Sequence, residues 1–190
     1  MRVIAGSQKG RRLMASRGDG LRPTSDRVKE ALFSILGSRT DGARVLDLYA
    51  GTGAIGIEAL SRGAQVATFV EPDAASLKAL RANLDRCNLA PQALVHACTV
   101  ESFLRRQQSS ESTYDIIFAD PPYHDGSAPA LLPSLDQAGI MTTDSIVILE
   151  HFSKVTVPSE VGRLVRLRQY RYGDTTLSVF GVRPQGEHSP

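Results

Sequence analysis

From Arg44 onward the chain repeats a single alternation: short apolar runs rich in β-branched residues, separated by longer segments of helical periodicity. The runs are ARVLDLYA (43–50), AQVATFVEP (64–72), QALVHAC (92–98), YDIIFADPP (114–122) and SIVILEHF (145–152). Between them lie segments such as AIGIEALSRG and DAASLKALRANLDRCNL, whose apolar residues recur at three- and four-residue spacing. Runs this far apart cannot close tight hairpins. They imply parallel strands joined by right-handed helical crossovers, with both sheet faces covered.

The two ends depart from that rule. GRLVRLRQYRYG (162–173) and TTLSVFGVRP (175–184) alternate apolar with polar residues and meet at Gly173 and Asp174, which predicts an antiparallel hairpin. RVIAG (2–6) and RRLMA (11–15), joined by SQKG, predict a small basic β-hairpin. A helix is expected within LRPTSDRVKEALFSILG (21–37), capped by Thr24 or Ser25, with Asp26 in its first turn. Val28, Ala31, Leu32 and Ile35 share one face, and Gly37 stops it. At 190 residues, 42% hydrophobic and 22% charged, the chain is expected to form one domain with its own core. It contains no apolar run of about 18 residues and no apolar leader, so a cytoplasmic protein is expected. Cys87 and Cys98 lack CxxC spacing, and the four histidines lack ligand spacing; reduced thiols and no metal are expected.

A net charge of +2 conceals a separation. Residues 1–44 carry ten Lys or Arg against four acids, leaving twelve against sixteen for the remainder. A basic N-terminal face suited to a polyanion is one reading, and a solvated basic surface is the other.

In open α/β sheets ligands sit outside the carboxyl ends of the strands. After the first run comes DLYAGTGAIG, where Gly51, Gly53 and Gly56 satisfy GxGxxG and Glu71 ends the next run at the spacing of a ribose-binding acid. A nicotinamide or flavin site uses the same pattern. Asp47 argues against it, because a carboxylate at the strand end repels a pyrophosphate and welcomes a cation. S-adenosylmethionine carries an ammonium, a sulfonium and no phosphate. The fourth run delivers Asp120, Pro121, Pro122 and Tyr123 to the same edge. The prolines hold the backbone extended and leave its carbonyls unladdered. The Asp120 carboxylate and the Pro121 carbonyl then form a pair of acceptors beside an aromatic face, which suits a planar ring bearing an exocyclic amine.

DLYAGTG with VEPD and DPPY resembles the class I S-adenosylmethionine-dependent methyltransferases that modify exocyclic amines of nucleobases. RVIAGSQKGRRL followed by RPTSDRVKEALFSIL is similar to the bacterial 16S ribosomal RNA guanine-N2 methyltransferase family, and the similarity runs from residue 1 to about Val182. DPPY alone is shared with DNA adenine and protein glutamine methyltransferases. The resemblance implies an α/β, Rossmann-like fold with a seven-stranded, mostly parallel sheet, a C-terminal antiparallel hairpin and a basic N-terminal extension. It implies one methyltransferase domain over 1–190, with 1–40 as the RNA-holding extension and 41–183 as the core. The cofactor would be S-adenosylmethionine. The partner would be 16S rRNA in the assembled or assembling small subunit, with no membrane and no metal.

Carried onto this sequence, Asp47, Tyr49, Gly51 and Gly53 shape the methionine end of the cofactor site and Glu71 takes the ribose. The adenine meets the Thr99–Val100 backbone or Glu101. Asp120, Pro121, Pro122 and Tyr123 hold the target base. Lys9, Arg11, Arg12, Arg22 and Arg27 hold phosphate; Arg22, Thr24 and Arg27 alternatively close over the cofactor or belong to a capped, solvated helix. His124 either touches the base or is incidental to it. Outside this family, a dinucleotide-dependent oxidoreductase and a non-enzymatic RNA-binding assembly factor are the competing readings.

Overall fold

The computed structural model describes residues 1–15, 26–108, 112–122 and 127–184. The chain divides into two compact units, Met1–Val100 and Glu101–Pro190.

The first unit holds α1 (Asp26–Leu36), β1 (Arg44–Leu48), α2 (Ala54–Ser61), β2 (Val66–Val70), α3 (Ala74–Arg86) and β3 (Ala93–His96). The strands lie in the order β3-β2-β1, each pair parallel. β1 and β2 bury four of their five residues, as expected of strands covered on both faces, whereas β3 leaves Leu94 54% exposed at the sheet margin. α2 is buried along its whole length. α3 is capped by Asp73, whose carboxylate accepts the Ser76 N–H at 2.7 Å and so satisfies an orphan donor of the first turn.

α1 starts at Asp26 and ends before Gly37, which takes a φ of 54°, so the helix stops where the sequence predicts. Its buried side is Val28, Lys29, Leu32, Phe33 and Leu36, while Ala31 and Ile35 are half-buried. The face is rotated from the expected one because Lys29, a charged residue, points inward. The predicted cap residues Thr24 and Ser25 lie outside the described residues.

Where a small hairpin is expected, the N-terminal segment forms one isolated antiparallel bridge, Arg2–Arg12, and no ladder among its described residues. Backbone bonds from Val3 N–H to the Arg11 carbonyl and from Gly10 N–H to the Val3 carbonyl, both 2.9 Å, close the turn.

The second unit holds most of α4 (Val100–Gln107), then β4 (Ile116–Ala119), α5 (Ser127–Gln137), β5 (Ile146–Phe152), β6 (Glu160–Val161), β7 (Leu164–Tyr172) and β8 (Thr175–Val182). Here the order is β4-β5-β8-β7-β6; β4 and β5 are parallel and the rest antiparallel. The predicted C-terminal hairpin is β7–β8, turning at Gly173 with a φ of 63°. Two-residue β6 joins its outer edge, so the described strands number eight. Val147, Ile148 and Leu149 on β5 are fully buried. Beside them His151 is held neutral: its Nδ1 donates to the Phe152 carbonyl at 3.0 Å, its Nε2 accepts from Ser178 Oγ at 2.8 Å, and burial pushes its pKa down. Among the described residues no helix is long and apolar enough to cross a membrane.

Candidate active site

The turn after β1 is shaped by backbone that few residues tolerate. Tyr49 has a φ of 60°, a left-handed conformation rare for a side chain of this size, and Gly51 follows at 54°. The three glycines of the motif do different jobs. A Cβ on Gly51 meets nothing within 4 Å, so its missing side chain leaves open space over the turn. A Cβ on Gly53 comes within 2.2 Å of Leu80 Cδ1 on α3, and one on Gly56 within 2.3 Å of the Phe69 ring on β2. Gly51 leaves its backbone open to approach, whereas Gly53 and Gly56 let α3 and β2 close on the turn.

Two carboxylates brace the turn. Glu71, at the end of β2 and 8% exposed, accepts Gly51 N–H and Asp73 N–H, each at 2.8 Å, and so ties the turn after β1 to the turn after β2. Asp47 is 2% exposed and accepts the Gly56 N–H at 2.9 Å. Burial pushes its pKa up to about 7; the Gly56 N–H opposes the rise, and the negative charge of Glu71 adds to it. A buried acid with this pKa favours a cationic neighbour and disfavours a phosphate. The open space at Gly51 and the two acids together fit a cofactor with a cationic, amino-acid-like end and a ribose, which S-adenosylmethionine has. Thr99 is exposed and Val100 buried at the start of α4.

In the second unit, fully buried β4 ends at Ala119 and is followed by half-buried Asp120, buried Pro121 and exposed Pro122. The Ser127 hydroxyl, at the first residue of α5, donates to the Pro122 carbonyl at 2.5 Å and fixes the far side of the turn. Tyr123 and His124 lie outside the described residues, as do Arg22 and Thr24. Among the described residues no group of three or more His, Cys, Asp or Glu could hold a metal ion.

Of the described cations expected to hold RNA, Lys9, Arg11, Arg12 and Arg27 are exposed. Arg11 is partly committed to the fold: Nε donates to Gln8 Oε1 at 3.1 Å and Nη1 to the Arg86 carbonyl at 3.0 Å.

Sequence reasoning missed the residues that hold this segment in place. Fully buried Glu58 on α2 accepts the Ile4 N–H at 2.8 Å and the Ala5 N–H at 3.0 Å, and pairs with Lys29 at 3.2 Å and Arg62 at 2.8 Å. Ser61 accepts the Gln8 N–H at 2.9 Å and donates to the Ala5 carbonyl at 2.6 Å. Fully buried Asn83 on α3 accepts the Met14 N–H at 2.7 Å and donates to the carbonyls of Met14 at 3.1 Å and Thr52 at 3.0 Å. The available signal was Glu58 itself, an acid amid the otherwise apolar AIGIEAL. An acid there requires buried partners.

Comparison with known proteins places the chain in a family. The family model described as conserved hypothetical protein 95 matches residues 1–181. YlbH of Bacillus subtilis is 40% identical over 183 residues, covering 96% of this chain and all of that protein. Ribosomal RNA small subunit methyltransferase D of Escherichia coli K12 is 32% identical over 187 residues, covering 98% of this chain and 92% of that one. The solved structure of yhhF from Escherichia coli superposes with a TM-score of 0.85 at 32% identity, covering 97% of this chain and 99% of the other. The fold is that of the class I methyltransferases, and the chain belongs to the conserved hypothetical protein 95 family, together with the ribosomal RNA small subunit methyltransferases D.

Proposed function

We propose that the protein is an S-adenosylmethionine-dependent ribosomal RNA methyltransferase, and that its target is the exocyclic N2 of one guanine in a hairpin loop of 16S rRNA in the small subunit. The observation that carries the reading is Asp47, buried at the end of β1 with its pKa raised to about 7, next to the open approach at Gly51. The relatives named for small-subunit rRNA methylation support the substrate class. In this reading residues 1–190 act as one methyltransferase domain, with 1–40 as the RNA-holding extension and 41–183 as the core.

When bound, S-adenosylmethionine supplies an electrophilic methyl group on a sulfonium. Asp47, ionised, receives the ammonium end, with Tyr49, Gly51 and Gly53 forming the turn around it. Glu71, already oriented by two backbone N–H groups, directs its remaining lone pairs at the ribose hydroxyls. The Thr99–Val100 backbone takes the adenine edge. A guanine N2 is a poor nucleophile because its lone pair is delocalised into the ring. Asp120 and the Pro121 carbonyl accept its two N–H groups, orient the lone pair and stabilise the charge that develops on nitrogen, while Tyr123 stacks on a base turned out of its loop. Acceptance of the methyl group would leave N2 cationic, and its proton would then pass to Asp120 or water. No strong base is needed beforehand.

The test is transfer of labelled methyl from S-adenosylmethionine to small subunits from cells lacking this gene, with naked rRNA and Asp120→Ala alongside. Label in N2-methylguanosine that falls by about a hundredfold or more with Asp120→Ala is expected, the size of a lost transition-state acceptor. Label in another nucleoside would overturn the guanine assignment. No label on either RNA substrate, with the cofactor bound, would turn attention to DNA adenine and protein glutamine.

A further inference from the structure

Asn83 touches two functional segments with one amide. Its Oδ1 accepts the Met14 N–H at 2.7 Å, and its Nδ2 donates to the Met14 carbonyl at 3.1 Å and to the Thr52 carbonyl at 3.0 Å. Both amide protons are therefore spent. Met14 lies two residues beyond Arg12 in the segment that carries the exposed cations Arg2, Lys9, Arg11 and Arg12, and Thr52 lies between Gly51 and Gly53 in the turn after β1. The side chain is fully buried in the last turns of α3, the helix whose Leu80 already sits against Gly53. Two segments distant in sequence, at Met14 and Thr52, thus share one small, rigid group. The reciprocal bonds of the next turn reinforce it: Arg11 Nη1 donates to the Arg86 carbonyl, and Arg86 Nη1 to the Arg12 carbonyl at 3.4 Å.

No other side chain of this length offers one acceptor and two donors. Aspartate keeps the bond from Met14 N–H but sets a negative charge against two carbonyls; leucine fills the volume and strands all three backbone groups.

We propose that Asn83 is a positioning residue that couples RNA binding to cofactor binding. RNA gripping Lys9 and Arg12 holds the segment through Met14 in the arrangement that keeps the Asn83 amide engaged. The same amide fixes the Thr52 carbonyl and hence the turn between Gly51 and Gly53. RNA therefore tightens the cofactor, and by linkage the cofactor tightens RNA by the same factor. This inference rests on the RNA methyltransferase reading above.

The experiment measures the affinity of S-adenosylhomocysteine, which supports no transfer, by equilibrium dialysis. The protein is studied alone and saturated with unmethylated small subunits, as wild type and as Asn83→Ala. Wild type is expected to bind at least about fivefold more tightly with subunits present, the lower end of ordinary coupling. In Asn83→Ala that ratio falls to about one, and affinity in the absence of subunits falls as well because the Thr52 carbonyl loses its donor. A merely structural role would weaken the free protein and leave the ratio intact. Amide hydrogen exchange on wild type reads the same coupling without any variant: subunits alone slow exchange in the peptide spanning residues 47–57, and S-adenosylhomocysteine alone slows it in residues 3–14. If both ligands bind wild type with a ratio of one and neither peptide responds, the coupling is overturned and the functional reading survives. If the ratio persists in a folded Asn83→Ala, the assignment to Asn83 is overturned. If subunits fail to bind wild type at all, the functional reading falls and takes the coupling with it.

Discussion

Asp47 sits at the residue scale as an acid whose burial works against its own ionisation. Its pKa lies near 7 against an ordinary value of 3.8, so the folded protein without cofactor holds a proton there that the unfolded chain releases. Stability from this group is complete below about pH 4 and is lost as pH rises to about 7, beyond which the loss is constant. A cationic ligand reverses the penalty by favouring the ionised form. Cofactor-induced stabilisation is therefore expected to be larger at pH 8 than at pH 6, read as the shift in thermal midpoint with and without S-adenosylmethionine. Asp47→Asn is expected to melt higher than wild type at pH 8 without ligand and to bind cofactor at least about tenfold more weakly, the effect of one lost ion pair in a buried site. The glycines separate in the same way. Gly51→Ala places its methyl in open space at a φ of 54°, costing about 1–2 kcal/mol of backbone strain and obstructing the cofactor. Gly53→Ala drives a methyl onto Leu80 and is expected to cost about 2–4 kcal/mol of folding stability. Urea unfolding and a cofactor titration on both variants distinguish the two roles.

At the scale of elements, β1, β2, β4 and β5 were legible because each is a run of apolar residues buried on both faces, a pattern local to the run itself. DLYAGTG and VEPD were legible for a related reason: a left-handed turn and a strand-end acid leave marks within a few residues. The rotated face of α1 was not, because Lys29 reads as a surface residue until its partner Glu58, on another element, is known. The N-terminal turn was half legible. Its reversal follows from local residues, but its docking depends on Glu58, Ser61 and Asn83, which lie 53 to 69 positions away. The Lys29–Glu58 pair has no exposure to water, so removing one partner leaves the other buried. Lys29→Ala is expected to destabilise the first unit by about 3 kcal/mol in urea unfolding, at the lower end for a broken buried pair because Arg62 and two N–H groups remain on Glu58.

For the whole molecule, the separation of charge along the chain is readable in composition, but which cations remain available to a polyanion is not. Arg11, exposed like its neighbours Lys9 and Arg12, spends part of its guanidinium on Gln8 and Arg86. Lys9→Ala and Arg12→Ala are each expected to weaken RNA binding regardless of sequence and to lower the slope of log affinity against log salt by about 0.7–0.9 for every phosphate no longer neutralised. Arg11→Ala is expected to lower the melting temperature as well. Filter binding across a salt series, beside thermal unfolding of each variant, reads both effects.

The bonds that hold residues 4–14 come from α2 and α3, and the last of them, to Arg86, is added some 75 residues after Arg11. During synthesis this basic stretch is therefore made before its own anchors. At ordinary elongation rates that interval is roughly 4–15 s; Ile4 and Ala5 wait 53 to 54 residues for Glu58 and Met14 waits 69 for Asn83, so a cationic segment lacks its anchors beside the machine whose RNA the finished protein is proposed to modify.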